Sequence, residues 1–198
     1  MFMMLQKNLF DVCRRNPVRE TNLPEGFHYQ KAFITPGEQH ALVTHIQELP
    51  FREFEFLGYT GKRRVVSFGW KYEYSSRRIR KAPEIPDFLL PLRVLAASFA
   101  NLEPEEFQQA LVTEYTPGAG IGWHRDKAVF GQVVGLSLLA TCVLRLRRKV
   151  GEKWERANMT VEPCSAYLLS GEARSSWEHS IPGVESLRYS ITFRSVRV

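Results

Sequence analysis

The pattern of apolar and polar positions predicts two helices in the first half of the chain. Thr35-Pro36-Gly37-Glu38 combines a capping box with proline at the first helical position. Apolar residues then recur at helical spacing over 42–49. A second helical region runs from about 86 to 100, and Pro91 within it marks a kink or a late start.

Between these helices, the spacing of apolar residues changes to two. Phe54 and Phe56 alternate with charged residues, and residues 59–62 supply turn chemistry. Aromatic and aliphatic residues alternate again from Val66 to Tyr74, and a very basic loop follows over 75–81. The pattern predicts a β-hairpin with an aromatic face.

The second half of the chain is rich in short strand candidates. They cover 110–115, 134–139, 142–147, 157–161, 166–169, 177–181 and 189–196. Strands this frequent, separated by Gly, Pro and Ser, indicate a β-sandwich, barrel or jelly roll rather than a βαβ sheet. Residues 1–25 show no sustained period, and we expect them to form an arm laid over the domain.

Length and composition favour one compact domain with a basic surface. The 198 residues are 44% hydrophobic and carry a formal net charge of +6, which favours a polyanionic partner. No run approaches the roughly 18 apolar residues of a membrane span. The three cysteines form no CxxC pair, so a reduced setting is the simplest interpretation. We therefore expect a soluble, cytoplasmic monomer.

A short motif supplies candidate metal ligands. His124 and Asp126 are two residues apart, so on an extended backbone both side chains point to the same side. His179, on a later strand candidate, offers a third ligand. Two histidines and one carboxylate are typical of non-haem Fe(II) oxygenases, which leave coordination positions open for substrate and O₂. Zinc remains possible by ligand type.

The last strand has two different faces. Arg188, Ser190, Thr192 and Arg194 alternate with Tyr189, Ile191 and Phe193. The second set is apolar and predicts packing into the sheet. The two arginines lie about 20 Å apart along the strand, and their side chains could lean inward to pair with a small dicarboxylate. In isolation the same pattern also fits two solvated arginines on an edge strand.

The ordered set Tyr115, His124-x-Asp126, His179 and Arg188-x5-Arg194 resembles the AlkB-like branch of the Fe(II)/2-oxoglutarate-dependent dioxygenases. The resemblance covers 109–198 well, the preceding region in general layout, and the first 25 residues hardly at all. It implies a mainly β (α+β) fold. The core would be a double-stranded β-helix, or jelly roll, with N-terminal helices packed on one sheet and a β-hairpin substrate lid.

The resemblance also implies the reaction and the roles of the site residues. His124, Asp126 and His179 would hold Fe(II), and Arg194 would join them as a catalytic residue. Arg188 would hold the far carboxylate of 2-oxoglutarate, and Arg194 would lie near the carboxylate that chelates the metal. The further residues expected around 2-oxoglutarate are Tyr115, Ser190 and Thr113. With O₂, the co-substrate would become succinate while a C–H bond is hydroxylated, classically on an N-methyl group that is then lost as formaldehyde.

The sequence departs from this family at positions that concern the substrate. Ala128 stands where DNA-repair members tend to carry an acidic residue that reads the damaged base. Thr113 replaces an amide that often helps to hold 2-oxoglutarate. The substrate lid should correspond to 51–82, where we expect at most one aromatic residue to stack on a base and the others to pack in the core. The candidate substrate contacts are Trp70, Tyr72, Tyr74, Arg77, Arg78 and Lys127.

We therefore expect one AlkB-like domain over 1–198, with an arm at 1–25, a lid at 51–82 and a catalytic core at 109–198. The leading hypothesis is oxidative demethylation or hydroxylation of modified bases in nucleic acid, with RNA such as tRNA at least as plausible as DNA. A second hypothesis places the same chemistry on a protein or small molecule. A third is a non-catalytic nucleic-acid-binding jelly-roll module. A second basic cluster near 145–153 could extend the nucleic-acid-binding surface or only aid solubility.

Overall fold

The computed structural model describes residues 23–56, 59–74, 76 and 78–197, so the arm predicted for 1–25 lies almost wholly outside the described residues. The helices are α1 (Pro36–Gln47), α2 (Leu90–Ala100) and α3 (Gly171–Ser175), and short 3₁₀ turns lie at Asp87–Leu89 and Pro104–Glu106. The strands are β1 (Phe27–Gln30), β2 (Arg52–Phe56), β3 (Tyr59–Phe68), β4 (Trp70–Glu73), β5 (Arg78–Lys81), β6 (Phe107–Tyr115), β7 (Ile121–His124), β8 (Phe130–Leu138), β9 (Cys142–Val150), β10 (Lys153–Val161), β11 (Ser165–Leu169), β12 (Glu178–Ile181) and β13 (Arg188–Val196). In this part of the chain, none of the helices has the length and hydrophobicity that a membrane crossing requires.

Both predicted helices are confirmed, and local sequence explains where they begin. At the start of α1, the Thr35 hydroxyl accepts a hydrogen bond from the Glu38 amide, and the Glu38 carboxylate accepts one from the Thr35 amide. Proline in the first turn of α2 gives the late start that Pro91 predicted, since its missing N–H is not needed there. Asn101 ends α2 in the left-handed conformation, with φ +54°.

Two antiparallel sheets form the jelly-roll core. The major sheet has the strand order β1-β11-β8-β13-β6-β3-β2, and the minor sheet has the order β10-β9-β12-β7. All seven strands predicted in the second half of the chain are present, and their pairings are antiparallel. The mainly β fold class and the jelly-roll core expected from the resemblance are therefore confirmed.

The helices cover one face of the major sheet. Tyr189, Ile191 and Phe193 of β13 belong to one buried cluster with Ile46 of α1 and Ala96 of α2. Burying a side chain of this size contributes roughly 1.5–3 kcal/mol, so the apolar face of β13 is directed toward the helices. The opposite face, which carries the two arginines, is turned toward the minor sheet.

The region before α2 differs from the prediction. Residues 59–62 belong to β3 and do not form the turn, because they extend the pairing of β3 with β2. β3 ends at Phe68, and at the next residue, Gly69, φ is +71° and a β-carbon would overlap the Gln108 carbonyl oxygen. Beyond that break, β4 and β5 form their own two-stranded sheet, so most of the predicted basic loop at 75–81 is strand. The sequence also did not predict β1 or α3.

Candidate active site

Two strands of the minor sheet bring the predicted histidines together. His124 ends β7 and lies directly opposite His179 of β12 in an antiparallel pair. Their ring centres are 4.2 Å apart. Asp126 follows β7 in a loop, so it is not on the strand from which its orientation was predicted. Its Oδ2 atom nevertheless lies 3.8 Å from Nε2 of His179.

These three side chains are of the types that bind a divalent metal, and they lie next to one another. An ion about 2.1 Å from each ligand atom can bridge two atoms 3.8 Å apart. Asp126 Oδ2 is buried and accepts no hydrogen bond within the described structure. Because buried polar atoms normally have a partner, this free oxygen is suited to bind a metal ion. Within the described residues, no three or more His, Cys, Asp or Glu side chains are arranged so that they could hold a metal ion, so the predicted ligands are neighbours that do not have coordination geometry in this structure.

Electrostatics place the three groups in the protonation states that metal binding requires. Burial lowers the pKa of His124, and burial together with the nearby His124 lowers the pKa of His179 to about 3. Burial would raise the pKa of Asp126, but Arg194 and the two imidazoles outweigh it and hold that pKa well below its usual range. At neutral pH the site therefore offers two neutral imidazoles and a carboxylate.

A backbone contact orients the ring of His124. Its Nδ1 atom lies 2.9 Å from the carbonyl oxygen of Gly122. A proton on Nδ1 donates to that oxygen and leaves Nε2 as the ligand atom.

The ligands open into a cavity of about 540 Å³ between the two sheets. Alternate residues of β6 and β13 form one wall of it. The predicted co-substrate residues on that wall are Thr113, Tyr115, Ser190 and Arg194. The facing of Ser190 and Arg194 was predicted from the period of two along the last strand, whereas Thr113 and Tyr115 were expected there from the resemblance, and the structure places all four on this wall.

Arg194 connects the last strand to the loop that carries Asp126. Its Nε atom donates to Asp126 Oδ1 at 2.8 Å, and its Nη1 atom donates to Gln109 Oε1 at 3.2 Å. The guanidinium thus fixes one carboxylate oxygen and leaves the other toward His179. This places Arg194 beside the predicted metal site, where the resemblance expects it.

Arg188 lies deeper than the cavity wall. The side chain is 0% exposed, its Nε atom donates to Ser137 Oγ at 3.0 Å, and its guanidinium carbon is 4.9 Å from the centre of the Tyr115 ring. Both Nη atoms are buried without a partner. A buried guanidinium is stabilised when an anion pairs with it. A carboxylate suits the two Nη atoms best, because it can accept a hydrogen bond from each of them. The free donors of Arg188 therefore fit a carboxylate of 2-oxoglutarate by their chemistry, while the side chain itself lies behind the residues that line the cavity.

The candidate substrate contacts divide into two groups. Tyr72, Tyr74 and Lys127 line the cavity, and the ammonium nitrogen of Lys127 is 5.3 and 5.1 Å from the two ring centres. Trp70 and Arg78 do not line it, because β4 turns the Trp70 ring toward Lys81 and β5 leaves Arg78 exposed. Arg77 lies outside the described residues.

The expected core packing of most lid aromatics is wrong. Trp70, Tyr72 and Tyr74 belong to neither buried hydrophobic cluster of the described chain. The two tyrosine rings meet edge to face at 5.1 Å on the cavity wall, because β4 is separated from the major sheet at Gly69.

The site contains further residues that were not among the predicted site residues, and they include Gln109, Arg63, Tyr167 and Arg174. Gln109 and Arg63 line the cavity, and the period of two from Thr113 could have identified Gln109. Tyr167 also lines the cavity and lies across Gly135 of the neighbouring strand, where a β-carbon would overlap its ring. Arg174, buried in α3, donates to the carbonyl oxygens of Lys127 and Phe130 and so fixes the loop after Asp126. No sequence signal indicated this role.

Comparison with known proteins agrees with this geometry. The family model of the 2OG-Fe(II) oxygenase superfamily matches residues 26–194. The chain is 28% identical over 214 aligned residues to the Alkylated DNA repair protein ALKBH8 homolog of Arabidopsis thaliana, covering 90% of this chain and 60% of that protein's length. It is 26% identical over 195 residues to the uncharacterized protein L905 of Acanthamoeba polyphaga mimivirus, covering 90% of this chain and 88% of that protein. The solved structure of OsALKBH1 superposes with a TM-score of 0.67 at 18% identity, over 87% of this chain and 98% of that one, which establishes a shared fold.

Proposed function

The chain belongs to the 2OG-Fe(II) oxygenase superfamily, and from this premise we propose that its dioxygenase reaction hydroxylates or oxidatively demethylates a modified base in nucleic acid. The observation that carries the proposal is a single cavity that combines three kinds of wall. One wall presents the two imidazoles and the carboxylate, a second presents Arg194 with polar residues of β6 and β13, and a third presents aromatic rings and cations.

The proposed division of labour follows from these contacts. His124, Asp126 and His179 would hold the metal, and Arg188 would bind the far carboxylate of 2-oxoglutarate. Bound there, Fe(II) and 2-oxoglutarate supply the oxidation of the substrate C–H bond by O₂, with succinate and CO₂ as co-products. Arg194 holds the Asp126 carboxylate in place. The rings of Tyr115 and Tyr167 also line the cavity.

The third wall of the cavity, with its aromatic rings and cations, is suited to bind nucleic acid. Arg63, Lys71, Arg125 and Lys127 line the cavity, and Glu53 is the only carboxylate besides Asp126 among its described lining residues. Cations of this kind bind phosphates, and Tyr72 and Tyr74 offer rings on which a base can stack. A volume of about 540 Å³ is in the range of cavities that enclose small ligands, so it accommodates a base turned out of its strand.

RNA is as well suited as DNA in this proposal. Ala128 is exposed and supplies no carboxylate beside the site. A cationic alkylated base would therefore lack a negatively charged partner at that position. The Arabidopsis relative is described as an alkylated-DNA repair protein, and this chain spans 60% of its length.

The proposal is tested by succinate release from 2-oxoglutarate in the presence of Fe(II) and a panel of substrates. The panel contains single-stranded RNA and DNA oligonucleotides with modified bases, a peptide library and free nucleosides, and Asp126→Ala is the inactive control. We expect stimulation by an oligonucleotide together with a mass change on one of its bases. Stimulation by peptides or small metabolites alone would overturn the substrate class. Mass spectrometry of total tRNA, DNA and protein from cells with and without the chain would then identify the modification.

A further inference from the structure

The outer face of the minor sheet carries four cations and a tryptophan, Trp154, that do not line the cavity of the proposed active site. Leu144 and Leu146 of β9 point into the core, so Arg145, Arg147 and Lys149 alternate with them on the outer side. Trp154 and Arg156 lie directly opposite Lys149 and Arg147 on β10. We refer to this surface as the outer platform, and it consists of Trp123, Arg145, Arg147, Lys149, Trp154 and Arg156.

Arg147 organises the aromatic part of the outer platform. Its guanidinium carbon lies 4.3 Å from the ring centres of both Trp123 and Trp154. An ion pair of 2.8 Å with Glu178 fixes the guanidinium further. Trp154 is 38% exposed, so part of its ring remains accessible to a ligand. The platform thus holds an accessible tryptophan in a defined position.

The charges on the outer platform are poorly balanced within the protein. Four cations, Arg145, Arg147, Lys149 and Arg156, share the face with one carboxylate from β12, that of Glu178. Arg147 and Arg156 lie directly opposite each other, an arrangement in which like charges destabilise a sheet. Folding alone does not favour this arrangement, whereas an external polyanion would stabilise it.

The outer platform is continuous with the cavity. Trp123 contributes to both, because it lines the cavity and also packs against Arg145 and Arg147. It directly precedes His124, whose ring lies on the other side of the same strand. A strand of nucleic acid whose modified base enters the cavity would therefore have the platform next to it.

We propose that the outer platform binds the single-stranded nucleotides that flank the modified base. This inference rests on the proposed function. Arg145, Lys149 and Arg156 contact phosphates, and an unpaired base stacks on Trp154. Unpaired nucleotides are required, because only a base freed from its partner and neighbours can lie flat on the tryptophan ring.

Binding of a fluorescein-labelled, unmodified single-stranded RNA, followed by anisotropy over a range of salt concentrations, tests the platform. We expect Trp154→Ala to weaken binding about tenfold through the loss of one stacked base. We expect the double variant Arg145→Gln/Arg156→Gln to reduce the slope of log K against log salt by about 1.4, since each phosphate contact to a single strand contributes about 0.7. Lys31→Gln, which removes one charge from the exposed Lys31–Glu162 ion pair, is the control and should bind as the parent does.

A second readout separates binding from chemistry and from folding. The platform variants should release succinate from 2-oxoglutarate at the parental rate when no oligonucleotide is present, and their KM should rise only for oligonucleotides. Parental affinity and salt slope in both variants would overturn the platform and leave the proposed function intact. A parent chain that binds no RNA or DNA at low salt would instead overturn the nucleic-acid substrate class, and the platform with it.

Discussion

The buried guanidinium of Arg188 gives the sharpest prediction, because its removal should weaken co-substrate binding without lowering the stability of the protein. Arg188→Met keeps much of the side-chain volume and removes the charge. Two charge-assisted hydrogen bonds from the Nη atoms to a carboxylate are worth roughly 3–6 kcal/mol together. We therefore expect the affinity for 2-oxoglutarate to fall by about 10²- to 10⁴-fold.

The stability of the metal-free protein should not fall with it. The substitution removes the Ser137 hydrogen bond and the contact with the Tyr115 ring, each worth about 1 kcal/mol. It also removes a buried charge that has no anionic partner, and such a charge costs several kcal/mol. We expect an unchanged or higher Tm for Arg188→Met without ligand, and no further rise in Tm when 2-oxoglutarate is added.

Two variants make this experiment specific, and both are measured by thermal unfolding and by anaerobic calorimetric titration. Arg188→Lys should bind 2-oxoglutarate with intermediate affinity, because one ammonium cannot replace a bidentate fork. Arg64→Met removes the partner of buried Glu114 and should lower Tm while leaving 2-oxoglutarate affinity unchanged. The reasoning is refuted if Arg188→Met binds 2-oxoglutarate within about threefold of the parent, or if its metal-free form is less stable than the parent.

Two further predictions concern the walls of the cavity. Gly135→Ala should lower stability by about 1–3 kcal/mol and weaken 2-oxoglutarate binding, because the new methyl group displaces the Tyr167 ring. Gly122→Ala, where a β-carbon meets nothing within 4 Å, is its control in urea unfolding, and equal stability of the two variants would contradict the role of Tyr167. Lys127→Met should raise KM for oligonucleotides about three- to tenfold through the loss of its charge beside Tyr72 and Tyr74. Its rate of succinate release without oligonucleotide should be unchanged, and an unchanged KM would exclude Lys127 as a substrate contact.

The features predicted best from sequence are those in which the local residue pattern and the burial of the side chains favour the same secondary structure. The capping box of α1 requires only Thr35 and Glu38, which are three residues apart. In β13, one face packs against helices and the other faces the cavity, so a strict period of two was enough to separate Arg194 from Phe193.

The failures arise where tertiary contacts override local preference. Residues 59–62 have turn chemistry, but their pairing with β2 keeps them extended. The break at Gly69 depends on the close approach of Gln108, a residue 39 positions away. Arg188 is likewise buried behind the cavity wall because β13 pairs with β8. The sequence pattern of one strand cannot predict that burial.

The candidate metal site was predicted in part. The spacing of His124 and Asp126 indicated two ligands, and His179 on a later strand candidate offered a third, while the resemblance to a family implied that all three hold Fe(II). The structure brings His179 opposite His124 through the pairing of β7 with β12. Such a pairing between segments about 55 residues apart could not be derived from periodicity alone.

The most direct test of the central claim is an anaerobic titration of the purified chain with Fe(II) and 2-oxoglutarate, followed by the visible absorption band of the ternary complex. The arrangement of His124, Asp126 and His179 around one ion, with Arg188 binding the co-substrate, predicts a saturable band at one equivalent of each. The band should be absent in Asp126→Ala, while that variant retains the circular dichroism of the parent. A parent chain that develops no band, or an Asp126→Ala variant that develops the full band, would contradict the assignment.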